Sequence, residues 1–257
     1  MRPLRMETAH LTLVRQPFDH PDFLFELKHD GFRALAHIWD GNCEMISRKR
    51  NAYKSFQSLR DNLAKLKVKD AVIDGELVCL DAEGRSIFNE LLFRRGCPIF
   101  YAFDLLYLNG RDLRQLPLIQ RKEKLREVID KSGLPDVLCG KYVEGRGVDL
   151  FKAVCEHNLE GMVAKRKTGT YATVSGWLKI KNPNYTQSER RAALTMEMNK
   201  PGIAASVALS GYECSGCGCR FPETRMPKGR TAAETLRLES IHIRREFARH
   251  VCSRRGW

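Results

Sequence analysis

Short apolar runs punctuated by turn-forming residues fill this chain up to about residue 185, and that punctuation restricts the fold more than any other feature. Residues 23–27 read as a strand that opens into an Asp30-Gly31 turn. Residues 33–39 and 43–47 form a hairpin across Asp40-Gly41-Asn42, residue types that tolerate the backbone angles of a short loop. Strands follow at 71–80, 99–108, 137–143, 162–165 and 177–180, with turns at 81–84 and at Asn109-Gly110. Phe56, Leu59, Leu63 and Leu66 recur at helical spacing; 118–131 repeats the pattern and stops at Gly133, and 149–157 is a third helix. Strands joined mostly by hairpins, with helices interspersed, predict an α+β domain of antiparallel sheets flanked by helices.

Near residue 190 the pattern breaks into a Pro201-Gly202 turn, a Cys-Gly cluster and Arg-rich sequence. The expected division is a domain over 1–190 and a Cys/Arg-rich extension over 191–257. No apolar run approaches the ~18 residues of a membrane span, and the first ten residues lack a signal-peptide core, so a cytoplasmic protein is expected. The net charge of +13 attracts polyanions, of which nucleic acid is the usual one. Of nine cysteines, Cys43, Cys79, Cys97, Cys139 and Cys155 are scattered, as reduced packing residues are.

Five polar islands sit at the ends of apolar strands. Glu26, Lys28, Asp30 and Arg33 form the first; strand alternation puts Glu26 and Lys28 on one face and Leu27 on the other. A lysine between an apolar strand and an Asp-Gly turn suits an amine nucleophile. Ser47-Arg48 is the second island. Asp74-Gly75-Glu76 is the third, with Asp74 and Glu76 on the face opposite Ile73 and Leu77. Glu160 and Lys165 bracket the fourth strand. In the fifth, Lys179 and Lys181 project together, an arrangement that suits a phosphate.

This ordered set resembles the covalent nucleotidyltransferase superfamily, in particular the ATP-dependent DNA ligases of bacterial end-joining systems, over roughly residues 17–190. Lys28-His29-Asp30-Gly31, Ser47-Arg48, Asp74-Gly75-Glu76, Tyr101-Ala102-Phe103-Asp104, Glu160 to Lys165 and Trp177 to Lys181 are similar to that group's successive motifs. The resemblance implies that Lys28 attacks the α-phosphate of ATP and carries AMP as a phosphoramidate. A free lysine has a pKa of ~10.4, so the site must favour the neutral amine; burial and the cations Arg33, Lys165, Lys179 and Lys181 push that way. By the same resemblance Lys179 and Lys181 contact the α-phosphate, and Glu76 and Glu160 serve Mg²⁺ or Mn²⁺ and the ribose. Phe103 stacks on adenine, Glu26 reads its amino edge, Arg48 meets the ribose and later the 5′-phosphate of the nick, and Asp30 positions the reacting groups. On composition alone Phe103 also reads as a core residue, Asp74 as structural, and Arg33 as a local partner of Asp30.

Ligases of this type continue into an OB-fold domain, but residues 191–257 do not show its five regularly spaced strands. They carry Cys214-x-x-Cys217 with Cys219, then His242, His250 and Cys252. Cys214, Cys217, His250 and Cys252 form a candidate tetrahedral Zn²⁺ set, with reduced cysteines as the alternative. The expected activity is sealing of DNA ends by a monomer through lysyl-AMP and AMP-DNA, with end-joining proteins as partners. The alternatives are an RNA ligase, a domain that seals only pre-adenylated ends, or a nucleic-acid-binding adaptor without catalysis.

Overall fold

In the computed structural model the described residues are 6–174 and 176–187, so the cysteines and histidines of the candidate zinc set and the whole 191–257 extension lie outside them. The chain runs through β1 (Leu11–Val14), β2 (His20–Lys28), β3 (Phe32–Trp39), β4 (Asn42–Ser47), α1 (Gln57–Leu63), β5 (Asp70–Val78) and α2 (Phe88–Leu92). It continues through β6 (Ile99–Leu108), β7 (Arg111–Asp112), α3 (Leu118–Asp130), β8 (Val137–Cys139), β9 (Tyr142–Gly145), α4 (Gly147–Glu156), β10 (Gly161–Arg166) and β11 (Trp177–Lys181).

These strands make two sheets, one in the order β1-β11-β10-β2-β9 and the other β4-β3-β5-β6-β7, with β8 also paired to β6. Pairing is antiparallel except for β1 with β11 and β8 with β6. The α+β expectation therefore holds.

Side-chain alternation explains the layering. Ala34, Ala36 and Ile38 of β3 and Ala71, Ile73 and Leu77 of β5 pack outward against Leu59 and Leu63 of α1 and Leu125 and Ile129 of α3. Phe25, Met162, Ala164 and Ile180 turn the other way, against Leu150, Ala153 and Val154 of α4. Between the sheets, Leu35, Val72 and Leu106 meet Val163, Trp177 and Tyr171. Each fully buried Leu or Phe contributes about 1.5–3 kcal/mol, so these layers hold the sheets face to face. Among the described residues no helix is long and apolar enough to cross a membrane.

The strand expected over 137–143 divides in two. Gly140 N–H donates to the Ala102 carbonyl at 2.7 Å, and beyond it the chain leaves β6 for β2 in the opposite sheet. An uninterrupted apolar run does not reveal such a change of sheet. Three elements without a sequence expectation are β1, a half-exposed parallel edge strand, the five-residue α2 and the two-residue β7.

Candidate active site

Strand register, rather than proximity in sequence, assembles the site. Across the first sheet, Lys181, Gly161 and Lys28 lie in one row, and Lys179, Val163 and Glu26 in the next. Directly opposed residues share a face, so Glu26, Lys28, Lys179 and Lys181 all project toward the second sheet, as does Lys165 two positions beyond Val163. The second sheet answers with the row Arg33, Glu76 and Tyr101. Phe103 is the extra residue where the β5–β6 register slips between Asp74 and Gly75, a bulge that re-aims its ring into the cleft.

The chain passes from one sheet to the other just after Lys28. This crossing is tight: a Cβ on Gly31 would lie 2.1 Å from the Leu77 carbonyl oxygen, so only glycine lets the turn settle on β5 beside Glu76. Gly161 is equally constrained, since a Cβ there would lie 2.3 Å from the Ile180 carbonyl oxygen.

Lys28 sits at the open end of a cleft walled by Leu11, Phe103, Val163 and Trp177. Its Nζ is 2.6 Å from Glu160 Oε1, with the lysine side chain 19% exposed and the glutamate 9%. The sequence led us to expect cations around this amine; its immediate neighbour is instead a carboxylate, so the pair must separate before the nitrogen lone pair is free. Lys179 is the cation that feels crowding: burial, then Lys181, Lys28 and Arg48, hold it below the usual lysine range. Arg48, exposed just beyond β4, thus stands near the same mouth.

Glu76 is pushed up to about 7, chiefly by burial and further by Glu160 and Asp74, against the opposing pull of Lys28 and Arg33. Two carboxylates in one electrostatic neighbourhood, one of them costly to ionise, fit a divalent cation that would lower that cost. Among the described residues no group of three or more His, Cys, Asp or Glu gathers to enclose a metal, so phosphate oxygens would have to complete the shell.

At the closed end, Glu26 is held by Lys165 on Oε2 and by Lys122 on Oε1, both at 2.9 Å. Desolvation alone would raise this carboxyl; the two lysines outweigh it and hold it below the ordinary range. Lys165 is itself pushed down to about 8, first by burial, and lies over the rings of Trp177 (3.9 Å) and Phe103 (4.4 Å). It serves Glu26 and the aromatic wall. Arg33 pairs with Asp74, not Asp30: Nε and Nη2 reach its two oxygens at 3.0 and 2.7 Å, and Nη1 bonds the Ala9 carbonyl. Tyr171 Oη donates to the same carboxylate at 2.7 Å. Asp30, 1% exposed, accepts from Tyr185 Oη at 3.4 Å, which ties the turn to the chain after β11.

Three contributors escaped the sequence reading. Trp177 forms a wall of the pocket and Tyr171 locks Arg33 and Asp74. Lys122 reaches Glu26 from α3, where its charge reads as ordinary helix surface. His29 also lines the cleft, its ring 4.2 Å from that of Tyr101. Burial, and then Lys28, depress it to about 4.

The profile of the ATP dependent DNA ligase domain matches residues 6–181. Over 178 residues, 66% of this chain, the sequence is 33% identical to the multifunctional non-homologous end joining protein LigD of Pseudomonas aeruginosa, of which the match covers only 21%. It is 28% identical over 185 residues to the SPbeta prophage-derived DNA ligase-like protein LigB of Bacillus subtilis, covering 68% of this chain and 66% of that one. The solved ligase domain from M. tuberculosis LigD superposes with a TM-score of 0.59 at 26% identity, covering 68% of this chain and 59% of that. The chain thus spans about a fifth of the Pseudomonas relative and just under two thirds of the Bacillus one. Since the profile extends over most of the chain and the two-sheet fold is shared with a solved ligase domain, the protein belongs to the ATP-dependent DNA ligase domain family.

Proposed function

We propose that residues 1–190 form the adenylating domain of a DNA ligase, joining 3′-hydroxyl and 5′-phosphate ends of DNA. The observation that carries this reading is the pair of cross-strand rows that converge Lys28, Lys179 and Lys181 on one mouth, beside Glu160 and Glu76. In the first step Lys28 Nζ gives up its proton and attacks the α-phosphorus of ATP. The new N–P bond replaces the bond to the bridging oxygen, and pyrophosphate leaves. Lys179 and Lys181 offset the charge that builds on the α-phosphate oxygens, a contribution that is large because the cations are already in place. AMP then passes to a DNA 5′-phosphate, freeing Lys28, and attack by the 3′-hydroxyl expels AMP.

Phe103 and Trp177, packed edge to face, form one wall of the pocket proposed for the base, and Phe103 is the ring on which adenine would stack, with Glu26 also lining the pocket. Arg48 at the mouth suits the ribose and then the nick phosphate. Glu76 and Glu160 would hold Mg²⁺ or Mn²⁺, which when bound supplies charge neutralisation for the triphosphate. The net charge of +13 favours DNA as the polyanionic partner, and end-joining proteins are the expected associates of the monomer.

The test is incubation of the full chain with ATP labelled at the α-phosphorus. A covalently labelled protein band is expected, absent in Lys28→Ala and discharged by pyrophosphate or by nicked DNA. A folded, unlabelled wild type that nonetheless seals pre-adenylated nicks would remove the self-adenylation step from this proposal. Salt-sensitive DNA binding without labelling or sealing would replace it with the adaptor reading.

A further inference from the structure

We propose that Lys122 is a positioning residue for base selection, acting through Glu26 to make the closed end of the pocket prefer a purine that carries a 6-amino group. This rests on the reading of the cleft as a nucleotide pocket with Glu26 at the base, and it assigns the control of that selectivity to a residue outside the pocket wall.

Lys122 lies in the N-terminal half of α3 and is 3% exposed. Its Nζ is 2.9 Å from Glu26 Oε1 and donates to the Phe103 carbonyl at 3.0 Å, while the Tyr142 ring centroid lies 5.4 Å away. One ammonium therefore links a carboxylate of the first sheet to the backbone of the second at the end of the cleft farthest from Lys28. Anchoring of α3 does not require it, because the adjacent Arg121 already binds Asp104 through two hydrogen bonds at 2.8 and 2.9 Å. The arrangement buries two cations against one anion, and burying charge is costly unless it is well compensated. A surplus cation at this point has a specific chemical effect.

With a lysine on each oxygen, Glu26 is an ionised carboxylate fixed in orientation. Such a group only accepts hydrogen bonds, and each oxygen retains a lone pair for a ligand donor. A 6-amino group supplies that donor. A 6-oxo group turns its own lone pairs toward the carboxylate and is repelled, and an unsubstituted position leaves the acceptor unpaired. Without Lys122 the desolvation of Glu26 is opposed by Lys165 alone, whose own charge burial disfavours. The carboxyl then gains protonated character and freedom to turn, and a protonated acid tolerates a 6-oxo base.

The experiment is equilibrium binding by calorimetry of ATP, GTP and purine riboside 5′-triphosphate, which lacks the 6-amino group. The proteins are full-chain wild type, K122M, K122R, E26A and E26A/K122M. Wild type is expected to prefer ATP over purine riboside triphosphate by about tenfold to a hundredfold, the range for a hydrogen bond to a charged group. K122M is expected to shrink that preference to about twofold and to relax rejection of GTP, while affinity for purine riboside triphosphate stays within about twofold. K122R should restore part of the preference, and K122M should leave it unaltered in the E26A background. If K122M does not fold, K122Q, which keeps a donor for the Phe103 carbonyl but no charge, carries the same expectation.

An equal loss of affinity for all three nucleotides in K122M would assign Lys122 a merely structural part and overturn the proposal. An ATP preference unchanged in K122M, or the same change with and without Glu26, would do so too. Binding is read without AMP transfer, so an intact base preference in a chain that neither forms lysyl-AMP nor seals pre-adenylated nicks refutes the ligase reading and supports this one. Failure to bind any of the three nucleotides refutes both.

Discussion

Replacing Arg121 by Met should be among the most damaging changes in the domain, and the structure allows its size to be worked out. Arg121 and Asp104 are both fully buried, 0% exposed. The guanidinium bonds both Asp104 oxygens and donates from Nη1 to the Leu116 and Gly169 carbonyls at 2.5 and 3.0 Å. Met fills similar space but strands a carboxylate away from water, which costs about 3–5 kcal/mol. Two carbonyls lose their donor at about 1 kcal/mol each, so the total is about 5–7 kcal/mol, a large part of the ~5–15 kcal/mol that holds a domain together. The double variant Asp104→Leu/Arg121→Met removes the stranded charge as well and should lose only about 3 kcal/mol, about 1 kcal/mol for each of the two carbonyls and for the Leu105 N–H that donates to Asp104. Urea unfolding of the three proteins measures this, provided the denaturant slopes agree. A single variant costing under about 2 kcal/mol, or a double variant as unstable as the sum of its parts, would show that the pair does not behave as an isolated buried charge pair.

Three shorter predictions concern the site. His29, depressed from 6.5 to about 4 in the folded chain, binds fewer protons than its unfolded counterpart between those values. Its contribution is fully present above pH 6.5 and is lost at about 1.4 kcal/mol per unit as pH falls toward 4, so urea midpoints of His29→Leu should decline less than wild type over this window. Gly31→Ala should cost at least about 1–3 kcal/mol, because its Cβ would meet the Leu77 carbonyl oxygen at 2.1 Å and the turn must lift from β5; a thermal midpoint equal to wild type would refute that contact. Lys181→Met, at the exposed end of its row, should lower the salt dependence of DNA binding by about one ion, read from the slope of log affinity against log salt; an unchanged slope would take Lys181 out of the DNA path.

The local architecture was legible because its signals are local. Asp40-Gly41-Asn42 closes the β3–β4 hairpin as its composition dictates, and Leu125 and Ile129 face the sheet as their spacing requires. Period-two alternation also placed Glu26 with Lys28 and Lys179 with Lys181. What it could not supply was pairing between distant strands. Nothing within residues 99–108 announces the bulge at Phe103, because it arises from register with β5. The partner of Arg33 was missed for the same reason: Asp30 is close in sequence, but Asp74 lies on the neighbouring strand. Lys122 was hidden more deeply, since a lysine on an amphipathic helix ordinarily covers apolar surface and leaves its charge in water. Here the side chain turns inward, to Glu26 and the Phe103 carbonyl.

Gly161 stands between Lys28 and Lys181 in their common row and contributes no side chain to it. The two lysines are rooted two strand spacings apart, roughly 9.5 Å, across a floor of bare backbone. The space a side chain would need there is taken by β11, whose Ile180 carbonyl oxygen would lie 2.3 Å from a Cβ on Gly161, so the glycine lets β11 close against β10 and brings Lys181 into the row of Lys28. The smallest residue of the row therefore fixes how closely the two amines can converge on one anion.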